Sequence, residues 1–263
     1  MTKISIGGKL YSKNYELFEI FGKVYDFIEV LIEPDFNINA LVDAVSLAKK
    51  PITIHCAHQH FGFNPGNTKK FQITKKLLDN AILAAEKFNS PTIIVHPGFE
   101  EDTISSQQLK NNTIEFFKNC FDKRLVIENC PYYKTFELTK YSLSTPKDFS
   151  DIKKAVPLKL ALDFSHAISS ANCQAKPPVS FIEEFIKLKP CLFHLSGIEM
   201  DSQKDSHNHL FLVKNKFEYL NLIKDIQNIP PITLETKYSS PIEYHQKDIE
   251  ILRKLLNQEQ KKI

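Results

Sequence analysis

Pro91-Thr92-Ile93-Ile94-Val95-His96-Pro97-Gly98 is the stretch on which the fold turns. A proline closes off any preceding helix, an unbroken β-branched apolar run follows, and a histidine stands where the run stops. The same phrase recurs along the chain. Pro51-Ile52-Thr53-Ile54-His55, Leu125-Val126-Ile127-Glu128, Leu160-Ala161-Leu162-Asp163, Pro190-Cys191-Leu192-Phe193-His194 and Pro231-Ile232-Thr233-Leu234-Glu235 each end in a residue that binds divalent metals. With residues 3–6 and 26–32 these make eight expected strands: 3–6, 26–32, 52–55, 92–96, 125–128, 159–163, 191–194 and 232–235. They run continuously apolar instead of alternating, as strands buried on both faces of a parallel sheet do.

Between the strands the apolar residues return at helical spacing, over residues 39–49, 73–88, 109–121, 181–188, 217–226 and 242–256, with shorter helices expected near 15–21 and 148–155. Eight strand–helix pairs with no linker between halves predict an α/β fold, a single (β/α)8 barrel spanning residues 1–263. A doubly wound open sheet is the alternative, but neither G-x-G-x-x-G nor G-x-x-x-x-G-K-[ST] is present.

Composition narrows the function. With 263 residues, 42% hydrophobic, the chain has enough apolar surface for a core, and its net charge of +3 from 34 basic and 31 acidic residues carries no polyanion signature. Only Arg124 and Arg253 are arginines, which leaves few fork-shaped phosphate ligands. No leader or membrane-spanning run is evident, and five cysteines without C-x-x-C spacing read as buried free thiols, so a cytoplasmic location is expected. His245, on the last helix, reads as a surface residue, and Glu33, closing the second strand, as a rim carboxylate.

In a barrel the strand C-termini converge on one rim, where active sites form. Six ligand-type residues in succession at that rim (His55, His96, Glu128, Asp163, His194 and Glu235) would be costly to bury together unless something bound them. His166, three residues past Asp163 on the turn leaving the rim, and the pair Asp205 and His207 on the loop after strand seven extend the set. Cys56 should face the other side of its strand and is left out.

These nine residues, with I-V-H-P-G at His96, I-E-N at Glu128, L-D-x-x-H-A from Leu162, F-H-L at His194, D-x-H at Asp205 and L-E-T ending at Thr236, resemble the endonuclease IV family (AP endonuclease family 2) of the xylose-isomerase-like barrel superfamily. The resemblance runs from about Ile52 to Lys237. It implies a trinuclear zinc site: His55, His96 and Glu128 on one ion, Glu128 bridging to a second held by Asp163, His194 and Glu235, and His166, Asp205 and His207 on a third. It implies hydrolysis of a phosphodiester beside an abasic sugar in DNA by a hydroxide bridging the ions. Imidazole and carboxylate donors without thiolate suit zinc, up to three ions, with Mn2+, Mg2+ or Fe2+ as the alternatives. Glu128 and Glu235 are the expected catalytic carboxylates, and His58, Lys237 and Tyr132 the expected substrate contacts.

The chain departs from that family in its loops. The intercalating Tyr-Leu positions hold His58 and Gln59, and the glycines expected after I-E-N and after D-x-H are replaced by Cys130-Pro131-Tyr132-Tyr133 and Asn208-His209-Leu210-Phe211. His58, His60 and His209 are therefore open as substrate contacts or acids. The second functional expectation is a sugar or sugar-phosphate isomerase or epimerase with one divalent ion on Glu128, Asp163, His194 and Glu235, two carboxylates serving as acid and base. Oligomeric state is not legible.

Overall fold

The computed structural model describes residues 4–101, 104–134, 139–140 and 143–257. Eight parallel strands close into a barrel: β1 Ile6–Tyr11, β2 Phe27–Leu31, β3 Ile52–His55, β4 Ile93–Val95, β5 Leu125–Glu128, β6 Lys159–Asp163, β7 Leu192–Leu195 and β8 Ile232–Leu234. Each strand neighbours the next in the chain, and β8 closes on β1 through Ile6↔Ile232 and Gly8↔Leu234. The helices are α1 Phe18–Val24, α2 Ile38–Ala48, α3 Phe71–Lys87, α4 Ser106–Asn119, α5 Pro146–Ala155, α6 Phe164–Cys173, α7 Pro178–Ile186, α8 Lys216–Lys224 and α9 Ile242–Asn257. This is the expected (β/α)8 barrel.

The strands bury both faces, each by a different device. Outward residues such as Ile28, Val30, Ile52, Ile54, Leu160 and Leu162 join the helices in the main core, while Phe27, Ile94, Val126, Ala161 and Leu192 form a separate apolar cluster that plugs the barrel. Two residues further along β2, β4, β5, β6 and β7 the same inward face carries Glu29, His96, Glu128, Asp163 and His194. The plug is thus a dry floor beneath a polar layer.

Two elements differ from the sequence reading. The first strand lies at Ile6–Tyr11 and not at residues 3–6, of which Lys3 falls outside the described residues. Gly7 and Gly8 read as a strand end, yet they sit inside β1 because Phe27 and Tyr25 fill the space their side chains would take; a Cβ there would lie 2.3 and 2.4 Å from the two rings. Helix α6 has no counterpart in the periodicity. Residues Phe164 to Ala171 are all buried, so the helix has no solvent-exposed face there, and its buried serines and His166 break up the apolar spacing. His166 accordingly sits in the first turn of a helix, not on a loop. No helix of the described residues is long and apolar enough to cross a membrane. All five cysteines are free, but only Cys56 and Cys130 are buried and Cys191 is exposed, which corrects the expectation of uniformly buried thiols.

Candidate metal centre

The strand ends deliver their side chains to one place. Glu128, at the end of β5, is completely buried, and its carboxylate meets three imidazoles: His55 Nε2 at 3.2 Å, His96 Nε2 at 3.1 Å and His194 Nδ1 at 3.0 Å. His194 Nδ1 also lies 2.7 Å from Glu235 Oε1. Two donor sets have all their ligand atoms within 4.8 Å of one another: His55, His96 and Glu128, and Glu128, Asp163, His194 and Glu235, with Glu128 common to both.

The histidines' outer nitrogens settle which atom faces inward. His55 Nδ1 lies 2.6 Å from the Cys56 carbonyl, His166 Nδ1 2.7 Å from the Asn129 carbonyl, and His207 Nδ1 3.1 Å from the Glu235 carbonyl. A carbonyl only accepts, so each Nδ1 carries the proton and donates it outward. Nε2 is then the inward donor atom of all three. His194 is turned the other way round: its Nε2 faces Glu29 Oε2 at 3.0 Å, leaving Nδ1 toward Glu128 and Glu235. Fixing the tautomer through the second ring nitrogen is how proteins prepare imidazole for a metal.

A more open group stands beside these two, its donor atoms not drawn together within 4.8 Å. Asp163 caps α6, accepting from the His166 amide at 2.7 Å, which points the His166 ring across the rim. His166 Nε2 and His207 Nε2 approach Asp205 Oδ2 at 3.4 and 3.7 Å, and Ser165 Oγ holds Asp205 Oδ1 at 2.9 Å. His207 is the open member, its side chain 53% exposed.

Three contributors escaped the sequence reading. Glu29, buried in mid-β2, accepts from Thr233 Oγ1 at 2.9 Å as well as facing His194, and with His55 and Glu235 forms another set of donors within 4.8 Å. Lys9 in β1 donates to Glu235 Oε1 at 2.6 Å and lies 3.7 Å from Glu29 Oε1. Asn129 clamps β5 to β6 through both ends of its amide, 2.9 Å to the Asp163 carbonyl and 2.7 Å from the Asp163 amide. A charged residue inside an apolar strand was the available signal for Glu29. Glu33, by contrast, binds Ser12 and the Lys13 amide away from the cluster. His245 is buried, its Nδ1 2.8 Å from Tyr25 Oη, because α9 turns that face onto α1; it is not a surface residue.

The electrostatics follow from crowding acidic and imidazole groups out of water. Burial pushes the His96 imidazole down to about 4, so it is neutral at pH 7. Burial raises Asp163 to about 7, with His166 opposing and Glu235 and Glu128 adding to the rise. For His166 burial is outweighed by Asp163 and Asp205, which lift it to about 10. His194 is raised by Glu29, Glu128 and Glu235 against its burial, and Lys9 by Glu235, Glu29 and Glu128. Glu128 and Glu235 are held well below the usual carboxylate range despite burial, Glu128 chiefly by His194 and Glu235 chiefly by Lys9. Protons on His166 and His194 therefore balance the carboxylates from positions whose nitrogens also suit a cation. The donor set fits divalent ions of the zinc, manganese or iron(II) type.

Above the cluster opens a cavity of about 810 Å³, with Lys9, His96, His166, Asp205, His207 and Glu235 on its floor and wall. Of the expected substrate contacts, His58 and Lys237 line it, His58 buried and Lys237 exposed. Tyr132 is half-buried outside the described lining, its amide donating to Ser170 Oγ at 2.8 Å. His60 and His209 also border the cavity, but His209 Nδ1 is engaged by Asp248 Oδ2 at 2.5 Å.

A family model described as a xylose isomerase-like TIM barrel matches residues 11–255. The chain belongs to that family. A search of curated proteins finds no match. Among solved structures this xylose isomerase-like barrel is similar to endonuclease IV from Thermus thermophilus, at 16% identity over 96% of this chain and 99% of that one, with a TM-score of 0.70. It is also similar to D-psicose 3-epimerase from Clostridium cellulolyticum, at 12% identity over 96% and 99% with a TM-score of 0.67. A D-tagatose 3-epimerase-like protein aligns at 18% identity over 97% of both chains with a TM-score of 0.66. At such identities the likeness establishes the barrel, and the solved structures that share it include both an endonuclease and sugar epimerases.

Proposed function

We propose that the chain is a metal-dependent phosphodiester hydrolase of the endonuclease IV type, holding up to three zinc ions and acting on abasic-site DNA or a related phosphoester. The observation that carries this reading is the third group, His166, Asp205 and His207, whose Nδ1 atoms donate outward to carbonyls while both Nε2 atoms face Asp205, although a single-ion isomerase needs only Glu128, Asp163, His194 and Glu235.

His55, His96 and Glu128 would hold one ion, Glu128, Asp163, His194 and Glu235 a second, and His166, Asp205 and His207 a third. When bound, such ions supply Lewis acidity toward a phosphoryl oxygen and bring the acidity of water near neutral pH. The chain's own residues do the rest. Glu128 presents both carboxylate oxygens to the cluster, Oε2 toward His55 and His96 and Oε1 toward His194, which suits a bridging role. The carbonyls of Cys56, Asn129 and Glu235 and the carboxylate of Glu29 fix four rings before substrate arrives, so little reorganisation is left for the reaction. The size of the cavity suits one sugar-phosphate unit, with Lys237 and His58 beside it.

Elemental analysis after zinc loading tests the reading, with close to three zinc per chain expected, followed by cleavage of an abasic-site oligonucleotide with Glu128→Gln as control. Three observations favour a second reading, a sugar or sugar-phosphate isomerase or epimerase. The four-residue set Glu128, Asp163, His194 and Glu235 is compact by itself, and the buried His58 and Gln59 offer no exposed wedge for a duplex. Both arginines lie toward the other end of the barrel, Arg124 just before β5 and Arg253 beside Asp26 before β2. One manganese or magnesium ion per chain, with no cleavage, selects this alternative.

A further inference from the structure

We propose that Lys9 forms an oxyanion subsite on the cavity floor, where its ammonium binds a phosphoryl oxygen of the substrate beside the carboxylate–imidazole cluster. The proposal rests on the phosphoester reading above and adds a residue that the nine-residue constellation does not contain.

The placement of Lys9 follows from barrel closure. In the β1–β2 ladder Lys9 stands opposite Glu29, and in the β1–β8 ladder Gly8 stands opposite Leu234, which brings Lys9 level with Glu235. The two lateral carboxylates anchor the ammonium at 2.6 Å and 3.7 Å, and the side chain is only 13% exposed. An ammonium has three donors; Glu235 takes one at 2.6 Å, while Glu29 Oε1 at 3.7 Å lies beyond hydrogen-bond distance and contributes charge only. Lys9 lines the cavity together with its partner Glu235 and with His96, His166, Asp205 and His207. Its position is preorganised, whereas Lys237, the other lysine of the lining, is an exposed loop residue. Both arginines are committed elsewhere, to Asp122 and to Asp26. Lys9 is thus the one rigid cationic side chain among the described residues lining the cavity that is not an imidazole of the cluster. A compact ammonium suits a phosphoryl oxygen as a point charge.

The test uses the metal-loaded full chain and inorganic phosphate as probe. Wild type, Lys9→Met and Lys9→Gln are compared by isothermal titration calorimetry for phosphate and by elemental analysis for metal. Unchanged metal content with phosphate affinity weakened about tenfold or more in both variants is the expected result, the size of one charge-assisted hydrogen bond. Unchanged phosphate affinity overturns the subsite. Loss of metal in the variants also overturns it, since Lys9 would then act by holding Glu235. Lys9→Gln keeps a donor for Glu235 and serves if Lys9→Met does not fold. The hydrolase reading fails separately, on wild-type metal count and oligonucleotide cleavage, and that failure leaves the comparison of phosphate binding intact.

Discussion

Replacing Glu29 with glutamine probes the centre at its least exposed point. Glu29 Oε2 accepts from His194 Nε2 at 3.0 Å and from Thr233 Oγ1 at 2.9 Å, and its other oxygen faces the Lys9 ammonium. The carboxylate keeps the His194 proton on Nε2 and so keeps Nδ1 available to a metal. Glutamine is nearly isosteric but offers two choices, both unfavourable. With its oxygen toward His194 the tautomer survives and the negative charge is lost. With its amide nitrogen toward His194 the ring proton moves to Nδ1, where a ligand lone pair is needed. Loss of such an outer partner weakens metal binding by about 10–100-fold, or roughly 1.4–2.7 kcal/mol. Competitive titration of zinc against a chelator measures it, with Glu33→Gln as control, since Glu33 binds Ser12 and the Lys13 amide away from the cluster. Unchanged zinc affinity in Glu29→Gln, with the protein folded, would refute the argument.

Three further outcomes are expected. Gly8→Ala places a methyl 2.4 Å from the buried Tyr25 ring and should cost about 1–3 kcal/mol, read as a Tm lowered by several degrees. Asp248→Asn weakens the Asp248 contacts to His209 Nδ1 and the Phe211 amide that tie the loop after β7 to α9; a loss of about 1–3 kcal/mol in urea denaturation is expected. Burial, then the neighbouring His209, depress His245 to about 4, so the unfolded chain binds the extra proton between about pH 6.5 and 4. Its contribution is complete above pH 6.5 and lost as pH falls toward 4; His245→Asn should therefore lose less stability than wild type between pH 7 and 5, by at most about 2 kcal/mol.

Much of the architecture is legible in the chain itself. Proline before a continuous apolar run marked β3, β4, β7 and β8, and the order of runs and helices implied the barrel, because a parallel strand needs a covered face on both sides. Helix α6 was not legible, since a helix buried all round has no periodicity to read. Strand β1 was misplaced because two glycines and a lysine resemble a strand's end when the rings that fill the glycine gaps, Phe27 and Tyr25, are far away in the chain's local reading.

The candidate site divides in the same way. The sequence by itself determined that His55, His96, Glu128, Asp163, His194 and Glu235 share a rim, because strand C-termini in a (β/α)8 barrel all point to one end. Only the tertiary structure decided that Lys9 and Glu29 belong with them. Their side chains enter the cluster from mid-strand, and inward or outward is a matter of phase, since neighbouring residues of a strand face opposite ways. That phase, and the contact between Lys9 and Glu235 across 226 positions of sequence, exist once β8 closes on β1 and sets the register. Barrel closure is a long-range event, and no local pattern in the chain encodes it.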